Sequence, residues 1–214
     1  MKIGIVGSGN MGAALGTIWS KKGHQVMFSY SKDAEKLNRL AALNSNNAQG
    51  TVEEAVAFSD VIMLSIPYSS LPEVLSNKTI FQNKTIITCI SGLQPDFSGE
   101  TIGLGTKLSI SVAEHICHLL QITKVVEAFN TTFAEILQLP SREIEGKKPS
   151  LFFCGDDAAA KEIAATLIED ADYTPINCGG LLAARTLETL ATSWVQFAVV
   201  AGLFPRIAIH SLKY

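Results

Sequence analysis

The hexapeptide Gly7-Ser8-Gly9-Asn10-Met11-Gly12 follows the apolar run Ile3-Gly4-Ile5-Val6, and the spacing of its glycines suits the cradling of a diphosphate. Gly7 permits a tight strand-to-helix turn. Gly9 lets the backbone approach a pyrophosphate with no Cβ in the way, and Gly12 lets the next helix lie close to its strand. Behind the turn, Ala13, Ala14, Leu15, Ile18 and Trp19 form an apolar stripe at helical spacing that Gly23 stops. The unpaired N–H groups and positive dipole end of that helix then face the phosphates of a dinucleotide.

Which dinucleotide depends on the second strand, residues 25–29. An NAD site ends this strand with Asp or Glu, about 20 residues past the glycines, on the ribose 2′-hydroxyl. Here the chain continues Ser29-Tyr30-Ser31-Lys32, with no carboxylate before Asp33. Ser31 can donate to a 2′-phosphate, Lys32 offers a cation, and Lys36 lies one turn later on the same face. The expectation is NADP(H). The same residues also read as a helix start, with Ser31 as the cap, the lysines solvated and Asp33 favouring the dipole; the two roles are compatible.

Further along, Ser65-Ile66-Pro67-Tyr68 ends an apolar run and should line the ribose and diphosphate, with Tyr68 free to stack. Ser91-Gly92-Leu93 and Phe129-Asn130-Thr131 end two more such runs. Asn130 reads either as a ligand to the nicotinamide carboxamide or a substrate carbonyl, or as a turn residue bonding its own backbone. No acid–base pair stands out. His24 reads as a surface turn residue, His115 and His118 as solvated neighbours at i, i+3, and His210 lies in the tail. No Ser-x-x-x-Lys or Tyr-x-x-x-Lys pair is present. No catalytic side chain is therefore expected, which fits direct hydride transfer between two bound rings that the protein only orients.

Strand and helix patterns alternate along the chain to position these groups. Strands are expected at 25–29, near 48–50, and at 60–66, 85–90, 124–129, 151–154 and 172–176. Helices are expected at 33–43, 52–58, 108–120 and 157–169, and a loop at 95–106. A last helix over about 181–209 is expected to bend near Gly202 and Pro205. Buried apolar strands joined by right-handed crossovers predict an α/β fold: a Rossmann-type, doubly wound parallel sheet with its crevice at the strands' carboxyl ends. Pro140, Gly146, Lys147, Lys148 and Pro149 cluster at a boundary. It divides a nucleotide-binding domain, residues 1–145, from a small C-terminal α/β and helical extension, residues 146–214.

Composition narrows the partners. With 47% hydrophobic and 17% charged residues and a net charge of −3, the chain gives no electrostatic reason to expect nucleic acid or an anionic membrane. The four cysteines are far apart and read as free thiols of a reducing compartment, with no metal site. The apolar stretch 195–203 is too short to span a bilayer, and no leader precedes the first strand, so a cytoplasmic location is expected. Leu187, Leu190, Trp194, Phe197 and Val200 or Ala201 recur three or four apart, a stripe that could be core or a homodimer interface.

Together these residues resemble the coenzyme F420-dependent NADP reductases (deazaflavin:NADP oxidoreductases) and their bacterial relatives. The likeness runs through residues 5–12, Ser31-Lys32 where the family often has Ser-Arg, residues 60–67, Val126-Glu127-Ala128-Phe129-Asn130-Thr131, Cys154-Gly155-Asp156-Asp157, Gly179-Gly180-Leu181 and residues 185–188. It implies that Ser8, Asn10, Met11, Ser31, Lys32 and Lys36 hold NADP(H), with Tyr68 nearby. It also implies that a hydride passes to or from a deazaflavin F420 or a flavin (FMN or FAD). The family in turn resembles the cytosolic reductase domain of membrane metalloreductases. Archaeal members carry histidine where this chain has Asn130, and Ala183-Ala184 stand where an asparagine is usual near Arg185. Both departures lie on the second-substrate side. They leave two other readings open: an NADP-binding sensor without turnover, and a reductase of a small imine or carbonyl compound.

Overall fold

The structure is a computed structural model and describes residues 1–93 and 109–212. Its strands are β1 (Lys2–Val6), β2 (Gln25–Ser29), β3 (Asn47–Gln49), β4 (Val61–Leu64), β5 (Thr85–Thr88), β6 (Val125–Ala128), β7 (Ser150–Gly155) and β8 (Thr174–Asn177). They form one sheet in the order β3-β2-β1-β4-β5-β6-β7-β8. The helices are α1 (Asn10–Lys21), α2 (Ala34–Ala42), α3 (Val52–Phe58), α4 (Leu71–Val74), α5 (Val112–Leu120), α6 (Ala134–Leu137), α7 (Ala158–Asp170) and α8 (Ala184–Val200). The loop expected at 95–106 lies outside the described residues.

From β3 to β6 every pairing is parallel, and the strand order reverses between β1 and β4. A doubly wound sheet opens its ligand crevice at that reversal, beyond the carboxyl ends. The apolar runs explain the burial: β4, β5 and β6 are buried along their whole length. One packed layer centres on Trp19, Phe28, Phe129 and Leu167, the other on Leu64, Phe81, Ile116 and Leu181. Trp19 Nε1 donates to the Leu167 carbonyl at 2.9 Å, tying α1 to α7 across the first layer.

Two expectations need correction. The sheet is not parallel throughout, because β7 runs antiparallel to β6, with Val126 opposite Gly155 and Ala128 opposite Phe153. Only the four-residue α6 lies between them, too short to carry the chain back across the sheet as a parallel crossover requires. The expected β-α-β unit is present beyond it, with β8 parallel to β7. Residues 146–212 thus extend the same sheet, and the carboxyl ends of β7 and β8 point to the edge opposite the crevice. The last helix also stops earlier than expected, at Val200. Gly202 takes the left-handed conformation at φ +66° and Pro205 follows, so the chain leaves the helix and runs back over β7. There the Ile209 carbonyl accepts from Ser150 N at 2.7 Å.

The contact that sets the crevice is the approach of α1 to β1. A Cβ on Gly12 would lie 2.0 Å from the Gly7 carbonyl oxygen and 2.4 Å from Ser65 Oγ, whereas a Cβ on Gly9 would meet nothing within 4 Å. Gly12→Ala should therefore destabilise the fold by about 1–3 kcal/mol in urea unfolding, through overpacking against backbone. Gly9→Ala should stay within about 0.5 kcal/mol of the parent. Equal effects of the two changes would contradict this packing.

Candidate functional site

The turn is fastened on two sides, to the end of β2 and to the end of β4. Gly7 N donates to the Ser29 carbonyl and Ser8 N to the Tyr30 carbonyl, each at 3.1 Å, and the Ser8 hydroxyl donates to the Ser29 carbonyl at 3.1 Å. Ser65 Oγ donates to the Gly7 carbonyl at 2.6 Å. Ser8 is thus spent on the sheet. α1 begins at Asn10 with Gly9 as its N-cap, no side chain caps it, and its first turn holds no acidic residue. The first N–H groups of the helix and the exposed Asn10 are left facing the crevice.

Beyond Ser65, Ile66 is buried beneath the turn and Pro67 precedes a short 3-10 turn, Tyr68–Ser70. The Tyr68 hydroxyl lies 3.1 Å from His115 Nδ1. His115 is therefore not solvated as expected; α5 packs it against Tyr68, a contact that sequence spacing does not show. His24 likewise has a partner, Asp170, at 2.8 Å.

At the end of β2, Asp33 rather than Ser31 caps α2. Asp33 Oδ1 accepts from Lys36 N at 3.1 Å and Oδ2 from Arg39 Nη2 at 3.0 Å, while Ser31 Oγ accepts from Asp33 N. The Lys36 backbone bond and the Arg39 guanidinium hold the Asp33 carboxyl below its usual range. Both oxygens of the first carboxylate after β2 are therefore occupied. The ammonium groups of Lys32 and Lys36 pair with no carboxylate among the described residues. Arg39 is the participant that the sequence reading passed over.

Met11 brings the turn to a cavity of about 220 Å³, which it lines with Cys89, Phe129, Asn130, Thr131 and Trp194. The cavity lies between the start of α1 and the carboxyl ends of β5 and β6 and is closed by α8, so the apolar stripe of α8 supplies a wall here. A larger groove of about 590 Å³ lies along the outer side of α1, between Thr17 and Pro140, away from these strand ends.

Behind the cavity lies a layer of acids. Glu127 on β6 is fully buried between Thr88 of β5 and Cys154 of β7, and Asn130 Nδ2 donates to its Oε1. Glu188 of α8, also buried, accepts from Val112 N at 2.5 Å. Burial, and then the charge of Glu188, push the Glu127 carboxyl well above its usual range, and burial pushes Glu188 up to about 8. Glu114 behaves in the opposite way. Arg185 bonds both its oxygens, at 2.7 and 2.8 Å, and holds it down to about 2. An acid inside the apolar run Val125-Val126-Glu127-Ala128 was the visible signal of this layer.

Among the described residues, no three His, Cys, Asp or Glu gather as a metal site, and no helix is long and apolar enough to cross a membrane. All four cysteines are free, and burial pushes the Cys89 thiol up to about 12.

Residues 2–92 match a family described as NADP oxidoreductase, coenzyme F420-dependent. Over 209 residues the chain is 30% identical to metalloreductase STEAP3 of Rattus norvegicus, covering 95% of this chain and 40% of that protein. The chain thus spans less than half of that relative's length. In fold it is similar to an Arthrobacter sp. FB24 protein assigned as an F420-dependent NADP-reductase, with a TM-score of 0.81 and 22% identity over 94% of this chain and 95% of the other. It also resembles the imine reductase of Myxococcus stipitatus in complex with NADP+, with a TM-score of 0.69 and 17% identity over 95% of this chain and 64% of the other.

The acid layer makes stability depend on pH in a defined direction. Between about pH 4.5 and 8, folded Glu188 keeps a proton that the unfolded chain releases, so stability falls as pH rises through this window, by up to about 1.4 kcal/mol per unit. Glu114 contributes in the other sense, and its share is lost only as pH falls below the usual carboxylate range toward about 2. Glu188→Gln should flatten the decline of Tm between pH 6 and 8. An unchanged slope would rule out this assignment.

Proposed function

We propose that this chain, whose residues 2–92 match the family described as NADP oxidoreductase, coenzyme F420-dependent, is an NADP(H)-dependent oxidoreductase that passes a hydride between the nicotinamide and a second ring, a deazaflavin or a flavin. The observation that carries the reading is the pairing of an uncapped glycine turn with a β2 end whose first carboxylate is already occupied. An NAD site needs that carboxylate for the ribose; here a 2′-phosphate would meet Ser31, Lys32 and Lys36 instead.

The residues present fit such a cofactor. A Cβ at Gly9 would project into open space, where a pyrophosphate can approach the backbone, and the N–H groups at the start of α1 lack acceptors. Ile66, Pro67 and Tyr68 would flank the ribose, and Met11 and Asn130 the nicotinamide. When bound, NADPH supplies the hydride. Met11, Phe129 and Trp194 exclude water around the ring, and the turn fixes its distance from a second ring entering the crevice. A second copy of the chain is the proposed partner, on the exposed apolar side chains Phe197, Val199 and Val200 of α8. The free thiols support a reducing, cytoplasmic setting.

Fluorescence titration should give tighter binding of NADPH than of NADH, and NADPH absorbance should fall on addition of the deazaflavin, FMN or FAD. Binding without oxidation by any acceptor would point to a sensor, and oxidation only by an imine or carbonyl compound to a small-substrate reductase. Lys32→Glu should weaken NADPH by about 1–3 kcal/mol and leave NADH nearly unchanged. Equal loss for both cofactors would remove Lys32 from the 2′-phosphate site.

A further inference from the structure

The cavity beside Met11 leaves three buried polar atoms without a partner among the described residues: Asn130 Oδ1, Thr131 Oγ1 and Trp194 Nε1. Buried polar atoms are normally satisfied, so a cavity that collects three such atoms is built for something that bonds them. The set comprises an acceptor, a donor and a hydroxyl able to act as either. It complements the edge of an amide or imide, whose N–H donates and whose carbonyl accepts.

An asparagine amide can usually present either end. Here Nδ2 donates to Glu127 Oε1, deep in the sheet, which turns Oδ1 toward the cavity. Glu188, also buried, lies on α8 one helical turn before Ala191, which lines the same cavity. We propose that Glu127 is a positioning residue that holds Asn130 with its carbonyl oxygen toward the cavity, so that the site selects a flat ring bearing an amide N–H. The proposal rests on the dinucleotide reading above for how such a ring arrives. Two sources share the chemistry: the carboxamide of nicotinamide, and the imide edge of a deazaflavin or flavin.

Two adjacent buried acids are a poor choice for stability alone, since apolar residues of similar volume commonly do better. This separates a positioning role from a structural one by sign. Affinities of the full chain would be measured for NADPH and for its reduced 3-acetylpyridine analogue, in which a methyl group replaces the NH2. The parent should prefer NADPH by about tenfold. Glu127→Met should lower that preference below about threefold while the melting temperature holds or rises, and Glu127→Gln, which still accepts from Asn130, should retain it. If the imide is the source, the analogue ratio is flat in the parent, and the same pattern appears between FMN and 3-methyl-FMN.

Full preference in Glu127→Met, or no response of either ratio, would overturn the proposal. Adenosine 2′,5′-bisphosphate keeps the two readings apart. Failure to bind it counts against the dinucleotide site, whereas binding with flat ratios counts against the cavity alone. Should Glu127→Met not fold, Asn130→Ser carries the test, with loss of preference expected and its retention overturning the proposal.

Discussion

The distance between α1 and β1 leaves no room for a methyl group, and the geometry of the crevice follows from that closeness. With Gly12 against the Gly7 carbonyl, the start of α1 sits directly over the carboxyl ends of β1 and β4. Ser65 then reaches Gly7 from β4, and Ser8 reaches Ser29 from the other side. The turn is braced by the ends of two strands, β2 and β4, through its first two residues. The backbone N–H groups before Ala13, whose own N–H bonds the Gly9 carbonyl, have no side-chain cap, so rigidity and availability come from neighbouring residues of one loop.

A second junction lies at β6, where the sheet changes from parallel to antiparallel. The same strand carries Glu127 and leads into Phe129, whose φ of +67° turns the chain toward the cavity. Because β7 comes back down, residues beyond it begin at the opposite edge, and α8 must travel along the sheet to reach the crevice. It meets α5 first, through Arg185 and Glu188, and the cavity afterwards, through Ala191 and Trp194. The acids therefore lie where the two halves of the sheet and the last helix are joined.

Local signals were legible in the sequence, and relations between distant segments were not. The glycine turn, the buried strand runs and the positions of most helices follow from spacing and apolar content, which are properties of the chain over a few residues. The cap of α2 was misassigned because Ser31 and Asp33 both suit the role, and only the bond to Lys36 N decides between them. The direction of β7 depends on the length of the connection, and the partner of His115 on how α5 packs. Trp194 was visible as one point of an apolar stripe, but a stripe does not say whether it faces core, cavity or another chain. Glu127 is a charge inside an apolar run that the sequence reading took only as part of a strand, and its meaning required Asn130 beside it.

The chain has two tryptophans, and the fold gives them different optical surroundings. Trp19 is sealed in the core with its indole N–H fixed to the Leu167 carbonyl and its ring edge-on to Phe129. Trp194 forms a wall of the cavity with its indole N–H without a partner among the described residues. Intrinsic emission is thereby divided into a blue, constant component set by an apolar interior and a second component sensitive to whatever fills the crevice. The protein carries its own reference and its own reporter, one on α1 and one on α8.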